Sequence, residues 1–235
     1  MNINTDSLYV VLPAAGIGKR MSKNIPKQYL KINGRCIIEH TIERLLSHPR
    51  IGQVIVALAE HDSMFSTLDI SKNSQVSTVL GGNERSDSVL AGLKAMHEQT
   101  WVLVHDAARP CLTHEDIDAL IHFCFKHDTG AILATPVRDT MKRSQTNQQI
   151  KSTENRNNLW HAQTPQMFKH QQLTRSIELA LQSGVEITDE ASAMEFANVD
   201  SFIVSGREDN IKITRPSDLN LAAFILTQQK EETCA

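Results

Sequence analysis

The run Pro13-Ala14-Ala15-Gly16-Ile17-Gly18-Lys19-Arg20 follows a short apolar stretch, Tyr9-Val10-Val11-Leu12. Small residues let a ligand lie against the backbone, whose N–H groups can then cradle phosphate. From Gly16 to Lys31 there are five basic residues, Lys19, Arg20, Lys23, Lys27 and Lys31, and no acidic one. The whole chain holds 24 Lys and Arg against 27 Asp and Glu, a formal net charge of −3. A positive island in a mildly acidic protein suits a small anionic ligand better than a nucleic acid. The competing reading is a solvated charged loop. Two familiar phosphate loops are excluded. A dinucleotide fingerprint needs Gly or Ala where Met21 stands, and an acid about 20 residues further on, where this chain runs from Lys31 to Arg35. A P-loop needs glycine and Ser or Thr where Pro13 and Arg20 stand.

Asp106 lies just past the apolar run Trp101-Val102-Leu103-Val104. A carboxylate beside a phosphate site is repelled unless a cation lies between, so Asp106 reads as a carboxylate that shares Mg²⁺ with phosphates. The bland alternative is a capping or turn aspartate. Asp209 is a weaker metal candidate on the same logic. His122 and His127 flank an apolar helical stripe and read as structural or exposed. His105 and His161 have no sequence partner that makes either a general base. There is no Gly-x-Ser-x-Gly elbow and no His-Glu-x-x-His helix, so hydrolase readings lack support.

These residues must be held by something. Tyr9–Leu12, Val54–Leu58, Val76–Leu80, Trp101–Val104 and Ala131–Ala134 read as buried strands. Between them, Ile38, Ile42, Leu45 and Leu46, then Val89, Leu93 and Met96, then Ile117, Leu120, Ile121, Cys124 and Phe125 recur at helical spacing. Thr113, with Asp116 three residues later, marks the start of the third of these helices. Strands apolar on both faces that alternate with amphipathic helices mean a mostly parallel sheet covered on both sides. Its ligands sit beyond the carboxyl ends of the strands. That points to the loops 13–28, 81–88 and 105–113.

The pattern breaks after Val137. Residues 138–160 hold only Met141, Ile150, Leu159 and Trp160 as large apolar groups. Such a segment cannot offset its own ordering entropy, so it is either disordered or packs on another surface. Periodicity resumes at Leu173, Ile177, Ala180 and Leu181; Thr188-Asp189-Glu190 can open a helix; Phe202–Val204 reads as a last strand; Pro216 opens a final helix. The first seven and last eight residues read as frayed tails. The 235 residues, 40% hydrophobic and 22% charged, read as a single domain, 1–235, with 138–160 inserted. No apolar run reaches the roughly 18 residues of a membrane helix, and the N-terminus is a poor secretory signal. Cys36, Cys111, Cys124 and Cys234 lack metal or redox spacing and read as reduced thiols in the cytoplasm.

The strand, the loop Leu12-Pro-Ala-Ala-Gly-x-Gly-Lys-Arg-Met21 and Pro26-Lys-Gln28 together resemble the nucleotidyltransferase superfamily. Six further motifs follow in order: Gly81-Gly-Asn-Glu-Arg-Ser-Asp-Ser-Val-Leu90, Val104-His-Asp-Ala-Ala-Arg-Pro110, Pro136-Val-Arg-Asp-Thr-Met-Lys142, Leu159-Trp-His-Ala-Gln-Thr-Pro-Gln166, Ile187-Thr-Asp-Glu-Ala-Ser192 and Gly206-Arg-Glu-Asp-Asn-Ile-Lys-Ile-Thr-Arg-Pro216. Over about Val10 to Leu226 the chain is similar to the 2-C-methyl-D-erythritol 4-phosphate cytidylyltransferase family of the non-mevalonate isoprenoid pathway.

The resemblance implies a Rossmann-like nucleotidyltransferase domain with a β-arm that embraces a second subunit, giving a homodimer with shared active sites. It implies CTP contacts from Pro13, Ala14, Ala15, Gly16, Gly18, Lys27, Gly81, Gly82, Asn83, Ser88 and Ala107. Many relatives carry aspartate where this chain has Asn83; a backbone contact there is indifferent to the change. Asp106, Arg109, Thr140, Arg156, Thr164, Thr188 and Lys212 match positions that handle the acceptor. Arg20, Lys27, Arg156 and Lys212 match the catalytic positions, with Mg²⁺ as cofactor at Asp106 and Asp209. The implied reaction is in-line attack of the acceptor phosphate on the α-phosphate of CTP, with pyrophosphate leaving. Three rivals stand beside it: the same chemistry on another polyol phosphate such as ribitol 5-phosphate, a non-catalytic nucleotide sensor, and a dehydrogenase, which Met21 weakens.

Overall fold

The structure, a computed structural model, describes residues 7–16, 25–96 and 100–234. The chain opens with β1 (Leu8–Pro13), a short hairpin of β2 (Lys31–Ile32) and β3 (Arg35–Cys36), α1 (Ile37–Leu46), β4 (Ile51–Leu58), β5 (Val76–Leu80) and α2 (Arg85–Lys94). It continues through β6 (Trp101–Val104), α3 (His114–His127) and β7 (Gly130–Pro136). A second hairpin, β8 (Lys142–Ser144) and β9 (Ile150–Thr153), precedes the long β10 (Trp160–Lys169). The chain ends with α4 (His170–Gln182), α5 (Glu190–Phe196), β11 (Ser201–Ser205) and α6 (Pro216–Cys234).

Seven strands form one sheet in the order β11-β7-β10-β6-β1-β4-β5. β10 runs antiparallel to both its neighbours, β6 and β7, and every other pairing is parallel. Successive residues of β1 show why the strand is apolar throughout. Val10 and Leu12 pack with Ile38 and Ile42 of α1 and Ile117 and Leu120 of α3 on one face. Val11 packs with Val89 and Leu93 of α2 and Leu173 and Ile177 of α4 on the other. All of these are almost fully buried, and truncating one to alanine costs about 2–5 kcal/mol. α6 adds a smaller apolar layer over Ile32, Ile37 and Ile213.

α2 lies unusually close to the sheet. A Cβ at Gly92 would stand 2.4 Å from Cγ1 of Val11, so only glycine lets the helix settle there. That seating fixes where the loop in front of α2 meets the strand ends. At α3 the N-cap reading holds, with the Asp116 N–H donating to Thr113 Oγ1 at 3.3 Å.

Three readings of the sequence need correction. Val76–Leu80 is not a buried strand: β5 is a sheet edge, and Leu80 is 62% exposed. The stretch 160–169, read as no element at all, is a central strand. Its polar centre and Pro165 hide the pattern, and its pairing with β7 shifts register between Ala162 and Gln166. The last eight residues are not a frayed tail, because α6 continues to Cys234 and the buried Gln229 donates from Nε2 to the Cys111 carbonyl at 2.8 Å.

Candidate active site

Two adjoining cavities lie at the carboxyl ends of the strands. The first is lined by Pro13, Ala14, Ala15 and Gly16 after β1, by Lys27 and Gln28, and by Gly82, Asn83, Glu84, Arg85 and Ser88 around the start of α2. Asp106, Ala107, Ala108 and Lys212 complete its wall. The second is lined by Arg85, Asp106, Arg109, Ala162, Gln163, Thr164, Gln166, Thr188, Asp189 and Lys212. Arg85, Asp106 and Lys212 belong to both.

Each wall has a local cause. Lys27 sits in a 3-10 turn, Lys27–Tyr29, anchored by buried Gln28, whose Nε2 donates to the Ala14 carbonyl at 2.7 Å. The turn and the glycine loop therefore move together. A Cβ at Gly81 would stand 2.7 Å from Ser88 Oγ and 2.8 Å from Ala15 Cβ, so the 81–84 loop packs directly on the loop after β1. Ser88 closes it by accepting from the Gly82 N–H at 3.2 Å.

The centre is Asp106, a buried carboxylate among three cations. Arg85 Nε is 3.2 Å from its Oδ1, Lys212 Nζ 2.8 Å and Arg109 Nε 3.4 Å from its Oδ2. Burial alone pushes this carboxyl up; Arg85, Lys212 and Arg109 overcome that and hold it far below the usual carboxylate range. Asp106 is therefore ionised at any working pH. Its backbone is fixed as well. The Asp106 N–H donates to Thr164 Oγ1 at 3.0 Å, and Thr164 Oγ1 lies 3.0 Å from His105 Nδ1. Nε2 of His105 lies 3.0 Å from the Arg109 carbonyl. Burial pushes His105 down to about 4, so the ring is neutral at neutral pH. It donates from Nε2 to Arg109 and accepts at Nδ1 from the Thr164 hydroxyl. His105 is a strut and no general base, as its sequence context suggested.

Eleven positions predicted to meet CTP or phosphate fall in or beside the first cavity. Pro13, Ala14, Ala15, Gly16, Lys27, Gly82, Asn83, Ser88, Asp106, Ala107 and Lys212 line it, and Gly81 lies directly beneath. Gly18 and Arg20 lie outside the described residues. The acceptor candidates Asp106, Arg109, Thr164, Thr188 and Lys212 line the second cavity together. Thr140 and Arg156 line neither. Both are exposed on the arm, where the Arg156 guanidinium donates to the Arg138 carbonyl. Asp209 lines neither cavity, and its two carboxylate oxygens accept from Arg207 Nε at 2.9 Å and Nη2 at 2.7 Å.

Four buried or half-buried residues of the site were not read from the sequence: Gln28, Arg85, Glu190 and Asn210. Asn210 links Thr164 and Arg109, donating to the carbonyl of the first at 2.9 Å and accepting from Nη1 of the second at 2.7 Å. Arg85 had a readable signal. A cation in the first turn of a helix opposes the helix dipole, so an arginine there is spent on an anion elsewhere.

Open parallel sheets take ligands beyond their strand ends, and the turn that carries the phosphate-sized cradle here is neither a P-loop nor a dinucleotide fingerprint. The class so defined is the nucleotidyltransferases. The family model described as "IspD: 2-C-methyl-D-erythritol 4-phosphate cytidylyltransferase" matches residues 8–228, and the chain belongs to that family. It is 56% identical over 229 residues to the 2-C-methyl-D-erythritol 4-phosphate cytidylyltransferase of Vibrio vulnificus strain YJ016, covering 96% of this chain and 97% of the relative. It is 53% identical over 240 residues to the protein of the same name from Colwellia psychrerythraea, covering 98% and 99%. The crystal structure of the Francisella tularensis cytidylyltransferase superposes with a TM-score of 0.81 at 32% identity, over 93% of this chain and 99% of that one.

Proposed function

We propose that this chain transfers CMP from CTP to the phosphate of 2-C-methyl-D-erythritol 4-phosphate, giving 4-diphosphocytidyl-2-C-methyl-D-erythritol and pyrophosphate. The observation that carries the reading is the shared wall. Arg85, Asp106 and Lys212 face both cavities, so a nucleotide in one and a phosphate monoester in the other meet at this cluster.

The chemistry asks little of acids and bases. A phosphate monoester has its second pKa near 6 and is mostly ionised at pH 7, so its oxygen attacks without a base. A bond forms from that oxygen to the α-phosphorus, the bond to the bridging oxygen breaks, and pyrophosphate takes the electron pair. What remains is to bring two anions together and to offset charge in a desolvated site. Lys27 and Lys212 do this from opposite walls, with Arg20 supplied by the loop after β1. Arg109, its fork buried beside the second cavity, orients the acceptor phosphate.

The donor set fits Mg²⁺ in one way only. Mg²⁺ usually takes one or two carboxylates, with phosphates and water filling its octahedron. Asp106 offers one ionised carboxylate, and among the described residues no three His, Cys, Asp or Glu side chains form a cage. Asp106 would therefore hold a phosphate-borne ion, while Asp209 is spent on Arg207. When bound, the ion supplies charge neutralisation on the triphosphate.

Thr140 and Arg156 complete the acceptor site from the arm of a second copy, which makes the working unit a homodimer. The chain works in the cytoplasm, with no nucleic acid or membrane as partner; among the described residues no helix is long and apolar enough to cross a membrane. The test is pyrophosphate release from CTP with 2-C-methyl-D-erythritol 4-phosphate, with ribitol 5-phosphate, and with neither. Release with the first alone is expected. Release with ribitol 5-phosphate as fast or faster would move the reading to that acceptor, and binding of CTP without turnover would make the protein a sensor.

A further inference from the structure

Arg85 is a quarter exposed and is bound on two sides. Its Nη1 and Nη2 meet Glu190 at 2.6 and 3.1 Å, and its Nε meets Asp106 at 3.2 Å. Glu190 is 1% exposed and is the first residue of α5. That helix is pinned to β10 by Gln166, which is also 1% exposed. Gln166 Nε2 donates to Asp189 Oδ2 at 2.9 Å, and its Oε1 accepts from the Ala191 N–H at 3.0 Å. Two residues earlier on β10, Thr164 accepts from the Asp106 N–H. The contacts therefore close on themselves: β10 holds Asp106 through Thr164, Asp106 holds Arg85, Arg85 holds Glu190, and Gln166 returns α5 to β10.

We propose that Arg85 is a positioning residue for the transfer reaction: braced by Glu190, it closes a ring of contacts around the acceptor cavity and fixes that cavity against the nucleotide loop. The inference rests on the transfer reaction given above. Arg85 suits the place because a planar guanidinium can fork onto one carboxylate and still reach a second, which a lysine ammonium cannot do with the same geometry. It stands at the first position of α2, directly after the 81–84 loop on the nucleotide side. Thr188 and Asp189, directly before Glu190, line the acceptor side. A shift in this link displaces one substrate relative to the other, and misplacement by about 1 Å is enough to slow a reaction 10²-fold.

The test compares Arg85→Lys with the double variant Arg85→Met/Glu190→Met. The second removes both charges at similar volume, which is often neutral or stabilising for a buried pair. Circular dichroism and calorimetric CTP binding report the fold and the nucleotide cavity; steady-state kinetics report the rest. In both variants CTP affinity is expected within about threefold of wild type, with the acceptor KM raised about tenfold and kcat lowered about 10- to 100-fold. A double variant that folds and turns over like wild type would make the pair purely structural and overturn the proposal. So would equal losses for both substrates, or loss of the fold in both variants. If wild type itself releases no pyrophosphate with any acceptor, the transfer reaction fails and the inference with it. If wild type turns over and the variants match it, only the role of Arg85 falls.

Discussion

Around Asp106 four further charged side chains, Arg85, Arg109, Lys212 and Glu190, meet at distances of 2.6 to 3.4 Å, and none is fully exposed. Along residues 138–160 the charges are just as dense but their pairs are wet. Arg143 and Glu154 meet at 2.7 Å with 62% and 37% of their side chains exposed, a contact worth about 0–1 kcal/mol. The arm is joined to the body by little more than the Arg138–Glu208 ion pair and the Val137–Leu159 backbone bond. Ile150 is 63% exposed and Leu159 38%. The cluster is built by its own chain and its geometry is settled there. The arm carries two acceptor-binding candidates and no core, so its geometry must come from a second surface.

The largest test of that contrast is removal of the divalent ion. Asp106 stays ionised beside a phosphate site, so exhaustive chelation should take turnover to background; turnover that survives it would remove the ion from the cluster. Next is Lys27→Ala. Lys27 lies in a turn held by the Gln28 and Ala14 contact, away from the core, so the fold should survive while kcat falls about 10²–10³-fold, or about 2.7–4 kcal/mol. The same variant sharpens the reading of the arm. Mixed with Arg156→Ala, it should regain activity in heterodimers that pair one intact site with one doubly damaged site. Unchanged low activity after confirmed subunit exchange would return the arm to its own chain.

A smaller effect separates strut from base at His105. Its pKa falls from 6.5 to about 4 on folding, so between these values the unfolded chain binds a proton that the folded chain does not. Stability contributed here is full above about pH 6.5 and declines as pH drops toward 4. Urea unfolding at pH 7.5 and 4.5 should differ by about 2–3 kcal/mol from this group. His105→Asn should flatten that part of the profile; an unchanged slope would mean the ring is not held neutral. The smallest change is expected at the arm. Ile150→Ser should leave the stability of the isolated chain within about 0.5 kcal/mol while weakening self-association in sedimentation experiments.

The same contrast explains what was legible beforehand. β1, β4 and β6 announce themselves because both faces are buried, and the glycine loop because phosphate needs bare backbone and cations. β10 is silent, since its centre, Gln163-Thr164-Pro165-Gln166, is chosen for bonds to Asp106, Asp189 and Arg207 rather than for packing. Arg85 and Glu190 look like ordinary helix-start charges until their partners, 21 and 105 residues from Arg85, are brought beside them. Long-range pairs of this kind leave no periodic trace.

β6 and β7 follow one another with α3 between them, yet in the sheet they never touch, because β10 fills the slot from the opposite direction. A growing chain that has emerged as far as residue 137 thus has two long hydrogen-bonding edges facing a gap, with nothing yet made to occupy it. Such edges pair readily with other chains. The final closure waits for about 30 more residues, including the whole arm, to leave the ribosome. A stalled 1–137 product should accordingly be found with chaperones or in the pellet, and one extended through Lys169 in the soluble fraction. The strand that finishes the acceptor site is also the one that seals the molecule during its synthesis.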